Sequence, residues 1–150
     1  MDGMMAKAKE DPLAEVVWLD RGWQPVFIGF CPSEAAWKRE MKRMKVKGEP
    51  YPNSPGRCTT FTCDGKTRVL VSLGERVEQD ASRVQIAALL CHEAVHVWQT
   101  VRDVMADPGQ PSIEFEAYSV QAIFQNLYQA WLDTRAPAEM KARNAKRRRA

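Results

Sequence analysis

Histidine is scarce in this chain of 150 residues, which contains only His92 and His96, both inside one motif, His-Glu-Ala-Val-His. Long hydrophobic runs are missing too: a membrane-spanning helix needs about 20 apolar residues, and no segment is that long. The polar first eleven residues contain no apolar run of the kind found in a signal peptide. We therefore predict a cytoplasmic protein without a membrane partner.

The cysteines lack the close pairing of a structural metal site. Cys31, Cys58, Cys63 and Cys91 form no Cys-x-x-Cys pair, so without an export signal we expect four reduced thiols. Cys58 and Cys63 are an odd number of residues apart, which places them on opposite faces of a strand. We expect Cys91 to pack inward as a small hydrophobic residue.

Acidic residues are absent from the last ten positions, which carry six positive charges. The rest has the balance of one globular domain, with 45% hydrophobic and 27% charged residues over the whole chain. We predict a single domain over residues 1–136 and a basic, disordered tail over residues 137–150. Such a tail is able to make weak contacts with nucleic acid.

The His-Glu-x-x-His motif lies within residues 84–101, a run with near-helical apolar spacing and no proline or glycine. Four residues of helix turn the chain by about 400° and advance it by about 6 Å, so His92 and His96 share a face. Two neutral imidazoles at this spacing can bind one Zn²⁺, and Glu93 can take a proton from metal-bound water. The alternative, two structural histidines in a core helix, is costly without a shared partner.

The remaining segments predict an α+β fold. Residues 15–19 and 24–30 predict a strand–turn–strand or a docked arm, and residues 57–63 and 67–73 predict a hairpin around Asp-Gly-Lys. Three helices are expected, with N-caps at Ser33, at Asp80 or Ser82, and at Ser112. We expect the first to end at Gly48 and the last to run from residue 113 to about 134, before Pro137 stops it.

A catalytic zinc needs a third protein ligand and an open position for water. With no histidine left, the helix after Ser112 offers Glu114 and Glu116. The apolar stripe of that helix lies about 60° from Glu116 and about 100° from Glu114, so burial favours Glu116. The stripe comprises Ile113, Ala117, Val120, Phe124, Leu127 and Trp131.

The order His92-Glu93-x-x-His96 followed by Glu114-x-x-Ala117 resembles the gluzincin branch of zinc metallopeptidases, which includes the ImmA/IrrE-like group. The Cys-Thr-Thr-Phe strand, the motif helix and the Glu-Phe-Glu-Ala-Tyr segment also resemble small metallopeptidase-like proteins of tailed phages and prophages. Together these resemblances cover about residues 57–132.

The resemblance implies that His92 and His96 are ligands, that Glu93 is the general base and that Glu114 is the third ligand. The family position after Glu-x-x-Ala is usually Asn or Asp and is Tyr118 here, so Glu116 also stays a candidate ligand. The implied fold is a minimal zincin-like α+β domain, in which a small sheet packs on the motif helix and the Glu-bearing helix.

The function predicted from these residues is zinc-dependent hydrolysis of peptide bonds, with one Zn²⁺ per chain and a peptide or protein as substrate. Tyr118 and Tyr128 are candidates for stabilising the oxyanion, and the strand over residues 57–61 is a candidate edge for binding an extended peptide. The resemblance implies a phage or prophage origin in a bacterial cytoplasm. The alternatives are a non-catalytic zincin-like scaffold in phage assembly and a nucleic-acid-associated protease or binder that uses the basic tail.

Overall fold

A computed structural model describes the backbone of residues 11–106 and 109–147, and the side chains of these ranges as far as Arg135. Within these ranges the chain forms an α+β fold, as predicted. The strands are β1 (Val17–Trp18), β2 (Val26–Cys31), β3 (Gly56–Cys63) and β4 (Lys66–Leu73); the helices are α1 (Glu34–Arg43), α2 (Glu75–Asp80), α3 (Arg83–Met105) and α4 (Ile113–Arg147). None of these helices combines the length and apolar character that crossing a bilayer requires.

The strands form one sheet in the order β1-β2-β4-β3, which leaves β3 at an edge. β1 and β2 are antiparallel, as are β3 and β4, whereas β2 and β4 run parallel. Asp64 and Gly65 join β3 to β4 with φ angles of 52° and 68°, as in a two-residue type I′ turn. Both predicted strand pairs are confirmed.

The larger core lies between one face of the sheet and helices α3 and α4, and α1 packs Trp37 against the other face beside Leu70. Trp98 and Trp131 are buried in the larger core. The indole N–H of Trp131 donates to Glu78 of α2 at 3.0 Å. Helix α3, which carries the motif, therefore packs against both the sheet and α4.

The predicted serine caps mark where the helices begin. The predicted breakers, Gly48 and Pro137, do not mark where they end. Ser33 caps α1, and Ser82 rather than Asp80 begins α3 with a capping box. The predicted end of α1 at Gly48 is wrong, because the helix stops at Arg43 and Lys45 turns the chain with a φ of 57°.

Ser112 caps α4 by accepting a hydrogen bond from the Phe115 N–H at 3.2 Å. The predicted stop at Pro137 is wrong, since the helix continues to Arg147. An internal proline removes one hydrogen bond but does not oblige a helix to end. The tail that the sequence predicts to be disordered therefore continues α4 in its backbone, while the domain boundary after residue 136 stays a prediction.

Candidate active site

His92 and His96 lie one turn apart on the exposed side of α3. Their Nε2 atoms are 3.1 Å apart, and their rings are inclined at 80°. Two imidazole nitrogens bound to one tetrahedral zinc at about 2.0–2.1 Å lie about 3.4 Å from each other. The two nitrogens are in hydrogen-bonding contact, close to the spacing that a shared metal ion would need, and the predicted common face is confirmed.

The second ring nitrogen of His96, Nδ1, is hydrogen-bonded to Gln99. Nδ1 of His96 donates to Oε1 of Gln99 at 2.9 Å. A neutral histidine that donates through Nδ1 leaves Nε2 unprotonated, which is the form that binds a metal. Gln99 therefore selects the tautomer of His96 that suits a ligand.

We expect Gln99→Ala to bind zinc about 10- to 100-fold more weakly than the wild type, because partners of this kind orient metal-binding histidines. Competition with a zinc chelator measures the affinity. Gln121→Ala, at an exposed position of α4, is the matched control. Equal affinity in all three proteins would contradict a positioning role for Gln99.

Glu93 lies between the exposed and buried sides of α3 and is 4% exposed. Burial raises the pKa of its carboxyl, and the nearby His92, His96 and Arg57 act in the opposite direction. No hydrogen bond from the described residues engages the carboxylate. A buried carboxylate with free lone pairs beside the histidines is suited to accept a proton.

The first residue of β3 lies directly against this carboxylate. A Cβ atom at Gly56 would be 2.8 Å from Oε1 of Glu93 and 3.3 Å from its Cγ. Any side chain at position 56 would therefore displace Glu93. The obstructing atom is the end of a flexible side chain, so the displacement would change the site more than the fold.

We expect Gly56→Ala to lower kcat/KM by up to about 10²-fold, because a misplacement of about 1 Å can have that effect. Its melting temperature should stay close to that of the wild type. Gly29→Ala is the contrasting control: its Cβ would lie 2.7 Å from Val16 and 3.0 Å from Leu70, which should destabilise the fold by about 1–3 kcal/mol. Thermal unfolding and peptide cleavage, measured on both variants, separate the two effects. Unchanged cleavage by Gly56→Ala would contradict the prediction.

Two clefts meet at Gly56, His92 and Glu93, which line both of them. The first cleft, of about 460 Å³, lies between β3 and the C-terminal half of α3. Its further lining includes Arg57, Cys58 and Thr60 of β3 and Gln99, Thr100 and Asp103 of α3. The second cleft, of about 640 Å³, is mainly apolar and is lined by Val77, Ala81, Ala88 and Leu89 among others.

Glu116 is engaged away from the histidines. Its carboxylate accepts a hydrogen bond from the Trp98 indole at 3.0 Å and lies 3.8 Å from the Arg102 guanidinium. Trp98 is two residues after His96, which is about 200° around the helix. The described structure therefore holds Glu116 on a different side of α3 from the histidines.

Glu114 is exposed in the first turn of α4 and is not part of the cleft lining. The sequence prediction that Glu116 is the more buried of the two glutamates is confirmed. Among the residues that the structure describes, no three His, Cys, Asp or Glu side chains are grouped closely enough to hold a metal ion. His92, Glu93 and His96 are thus brought together without either predicted third ligand.

The tyrosines predicted as oxyanion ligands lie elsewhere. Tyr118 is 65% exposed and does not line the cleft. Tyr128 stacks between Phe124 and Trp131, with ring centroids 5.8 Å from each. Tyr128 is therefore a packing residue at the edge of the larger core.

The predicted apolar stripe of α4 is wrong in its first two turns, where Ile113 is 85% exposed and Ala117 is exposed. Phe115 packs there against Trp23 and Trp98 instead. At the start of α4 Phe115 contacts these rings while staying 43% exposed, Glu116 is half-buried and Ser119 is buried.

The cysteines differ in environment. Burial raises the pKa of the Cys31 and Cys58 thiols to about 12. Cys58 packs against the larger core and lines the first cleft, whereas Cys63 lines a pocket with Met44 of the α1 side, which confirms the predicted opposite faces. The predicted inward packing of Cys91 is wrong, because its side chain is exposed on α3.

Several cleft residues were not predicted from the sequence. Gln99 and Asp103 follow His96 at helical spacings of three and seven, which is a signal that was available in the sequence. Gly56 carries no such signal, because only the packing of β3 against α3 brings it to Glu93. Arg57 and Cys58 belong to the strand over residues 57–61 that was predicted as an edge for an extended peptide; the edge position is confirmed, and peptide binding stays a prediction.

Comparisons of the chain with protein-family models, curated proteins and solved structures gave no match. Arguments about function therefore rest on the geometry of the cleft.

Proposed function

We propose that the protein is a zinc-dependent metallopeptidase that hydrolyses peptide bonds in the cleft between β3 and α3. The observation that carries the proposal is the 3.1 Å separation of the His92 and His96 Nε2 atoms, beside a buried glutamate in the same cleft. Two nitrogen ligands next to a carboxylate base are the core of metal-assisted hydrolysis.

Zn²⁺ held by His92 and His96 would supply Lewis-acid chemistry, activating a water molecule and polarising the scissile carbonyl. Glu93 would take the proton from the attacking water and deliver it to the leaving amine.

Arg57 is the side chain that we assign to the oxyanion, in place of a tyrosine. Arg57 lines the first cleft between Gly56 and Cys58 and is exposed there, and its charge partly offsets the burial that raises the pKa of Glu93 and of Cys58. No ion pair or hydrogen bond among the described residues engages its side chain. A free guanidinium in a partly enclosed cleft can stabilise negative charge that develops on a carbonyl oxygen.

Glu114 is our choice for the third ligand. Glu116 would have to give up its hydrogen bond from Trp98 and its contact with Arg102, whereas Glu114 has no such contact among the described residues. The resemblance to gluzincins also implies Glu114.

Elemental analysis of the purified protein tests the metal site, comparing the wild type with His96→Ala, Glu114→Ala and Glu116→Ala. We expect about one zinc per chain in the wild type and in Glu116→Ala, as for a single catalytic site with three protein ligands. We expect loss of zinc in His96→Ala and Glu114→Ala. A wild type that takes up no zinc when zinc is offered would overturn the proposal, and loss of zinc in Glu116→Ala alone of the two glutamate variants would reassign the third ligand.

The second candidate function is a metal-keeping scaffold without catalysis. It keeps the same pair of histidine ligands, whose Nε2 atoms are 3.1 Å apart, but gives Glu93 no catalytic role. For a scaffold, removing zinc would lower stability, but Glu93→Gln would leave the biological function unchanged. The nucleic-acid contact predicted for the basic tail concerns side chains outside the described residues.

A further inference from the structure

We infer that the substrate is an extended polypeptide in which Asp103 binds a Lys or Arg side chain about three residues from the scissile bond. On the other side of that bond the substrate carries an apolar side chain, which the second cleft binds. The inference rests on the proposed peptidase function and adds a substrate class to it. Asp103 is then a specificity-determining residue.

The first cleft has the length and shape of a groove for an extended chain. It is lined by β3 from Gly56 to Thr60 and by α3 from Glu93 to Asp103. Four residues of strand span about 13 Å, and ten residues of helix span about 15 Å, so the two walls match in length. Glu93 and Gly56 stand at one end, since they nearly touch.

The strand that forms one wall of this groove, β3, has one edge that is not paired with another strand of the described sheet. β3 is the end strand of the described sheet and pairs only with β4. The unpaired side of an edge strand can bind an extended peptide through backbone hydrogen bonds. A peptide bound in this way would pass His92 and His96 and continue along α3 toward Asp103.

The charges along the groove differ between its two ends. Arg57 belongs to the Glu93 end, because it follows Gly56, which lies directly against Glu93. The side chains of Thr60, Gln99 and Thr100 between the ends are uncharged. The Asp103 carboxylate has no ion pair or side-chain hydrogen bond among the described residues.

The position of Asp103 sets the distance to the side chain it would bind. Asp103 is seven residues beyond His96, which is about 10 Å along the helix. An extended peptide advances about 3.3 Å per residue, so a Lys or Arg about three residues from the bond that is cut would reach Asp103.

The second cleft supplies the apolar side. It shares Gly56, His92 and Glu93 with the first cleft but extends toward α2 and the N-terminal half of α3. Val77, Ala81, Ala88 and Leu89 make this part apolar, and it contains no charged side chain other than Glu93 and a histidine. A peptide that lies in the first cleft and continues past Glu93 would enter the second cleft. The side chain placed there would be on the opposite side of the scissile bond from the Lys or Arg residue.

A peptide library of mixed sequence, with the products identified by mass spectrometry, tests both subsites on the zinc-loaded full chain. We compare the wild type with Asp103→Lys, with Ala88→Phe, and with Asp133→Lys as a control at an exposed position of α4. One exposed ion pair contributes about 0.2–1 kcal/mol, so we expect Lys and Arg to be enriched about two- to fivefold at one position. Asp103→Lys should shift that enrichment to Asp and Glu. Ala88→Phe should lower the enrichment of bulky apolar residues on the other side of the scissile bond. Asp133→Lys should give the same enrichment as the wild type.

Binding supplies a readout that does not depend on turnover. Glu93→Gln protein and its double variant with Asp103→Lys are titrated with two labelled peptides that differ only by Lys or Glu at the enriched position. We expect the preference to reverse in the double variant and to weaken with added salt. Cleavage with the same positional preference in Asp103→Lys would overturn the subsite and leave the peptidase proposal standing. No cleavage by the zinc-loaded wild type would remove both.

Discussion

Glu93→Gln is expected to lower kcat/KM by about 10²- to 10⁴-fold, the usual contribution of a general base, while the zinc content stays unchanged. The amide has nearly the shape of the carboxylate but cannot accept the proton of the attacking water. Because Glu93 has no hydrogen-bond partner among the described residues, the substitution breaks no contact of the fold. Its stability should therefore equal or exceed that of the wild type, since burial of the carboxylate raises its pKa and penalises its charge.

Cleavage of a fluorogenic peptide chosen from the library products measures this effect, and elemental analysis is made on the same samples. Glu49→Gln, at an exposed position, controls for the loss of a carboxylate. Full activity of Glu93→Gln would remove Glu93 as the base and favour the scaffold function. Loss of zinc together with activity would instead mean that Glu93 supports the metal site.

Arg57→Ala is expected to lower kcat by about 10²- to 10³-fold, the effect of removing one group that stabilises an oxyanion. The guanidinium would act on charge that develops only in the transition state, so KM should change much less than kcat. Arg57→Lys should restore part of the loss, because a positive charge is kept without the planar donor geometry.

Steady-state kinetics on the same fluorogenic peptide separate kcat from KM. Arg76→Ala, an exposed arginine of α2, is the matched control. A rise in KM with unchanged kcat would assign Arg57 to ordinary substrate binding instead. Because Asp103 and Arg57 act on different parts of the groove, the preference for Lys and Arg that we assign to Asp103 should persist in Arg57→Ala.

Spacing along one helix was enough to predict the arrangement of His92, Glu93 and His96. Residues four apart on a helix share a face whatever the helix packs against, and Ser82 marks where this helix begins. The β3–β4 hairpin was equally local, since Asp64 and Gly65 adopt the positive φ angles that the turn needs. The sequence by itself therefore determined the candidate ligands, the base and the elements that carry them.

Tertiary packing decided what surrounds these residues. Parallel pairing of β2 with β4 leaves β3 at the edge, and this brings Gly56 and Arg57 to Glu93. Packing of Phe115 on Trp23 and Trp98 turns Glu116 toward the indole of Trp98 and leaves Glu114 exposed. Local periodicity could not show either outcome, because contacts between distant segments depend on which strands pair and on which side chains fill the space between helices.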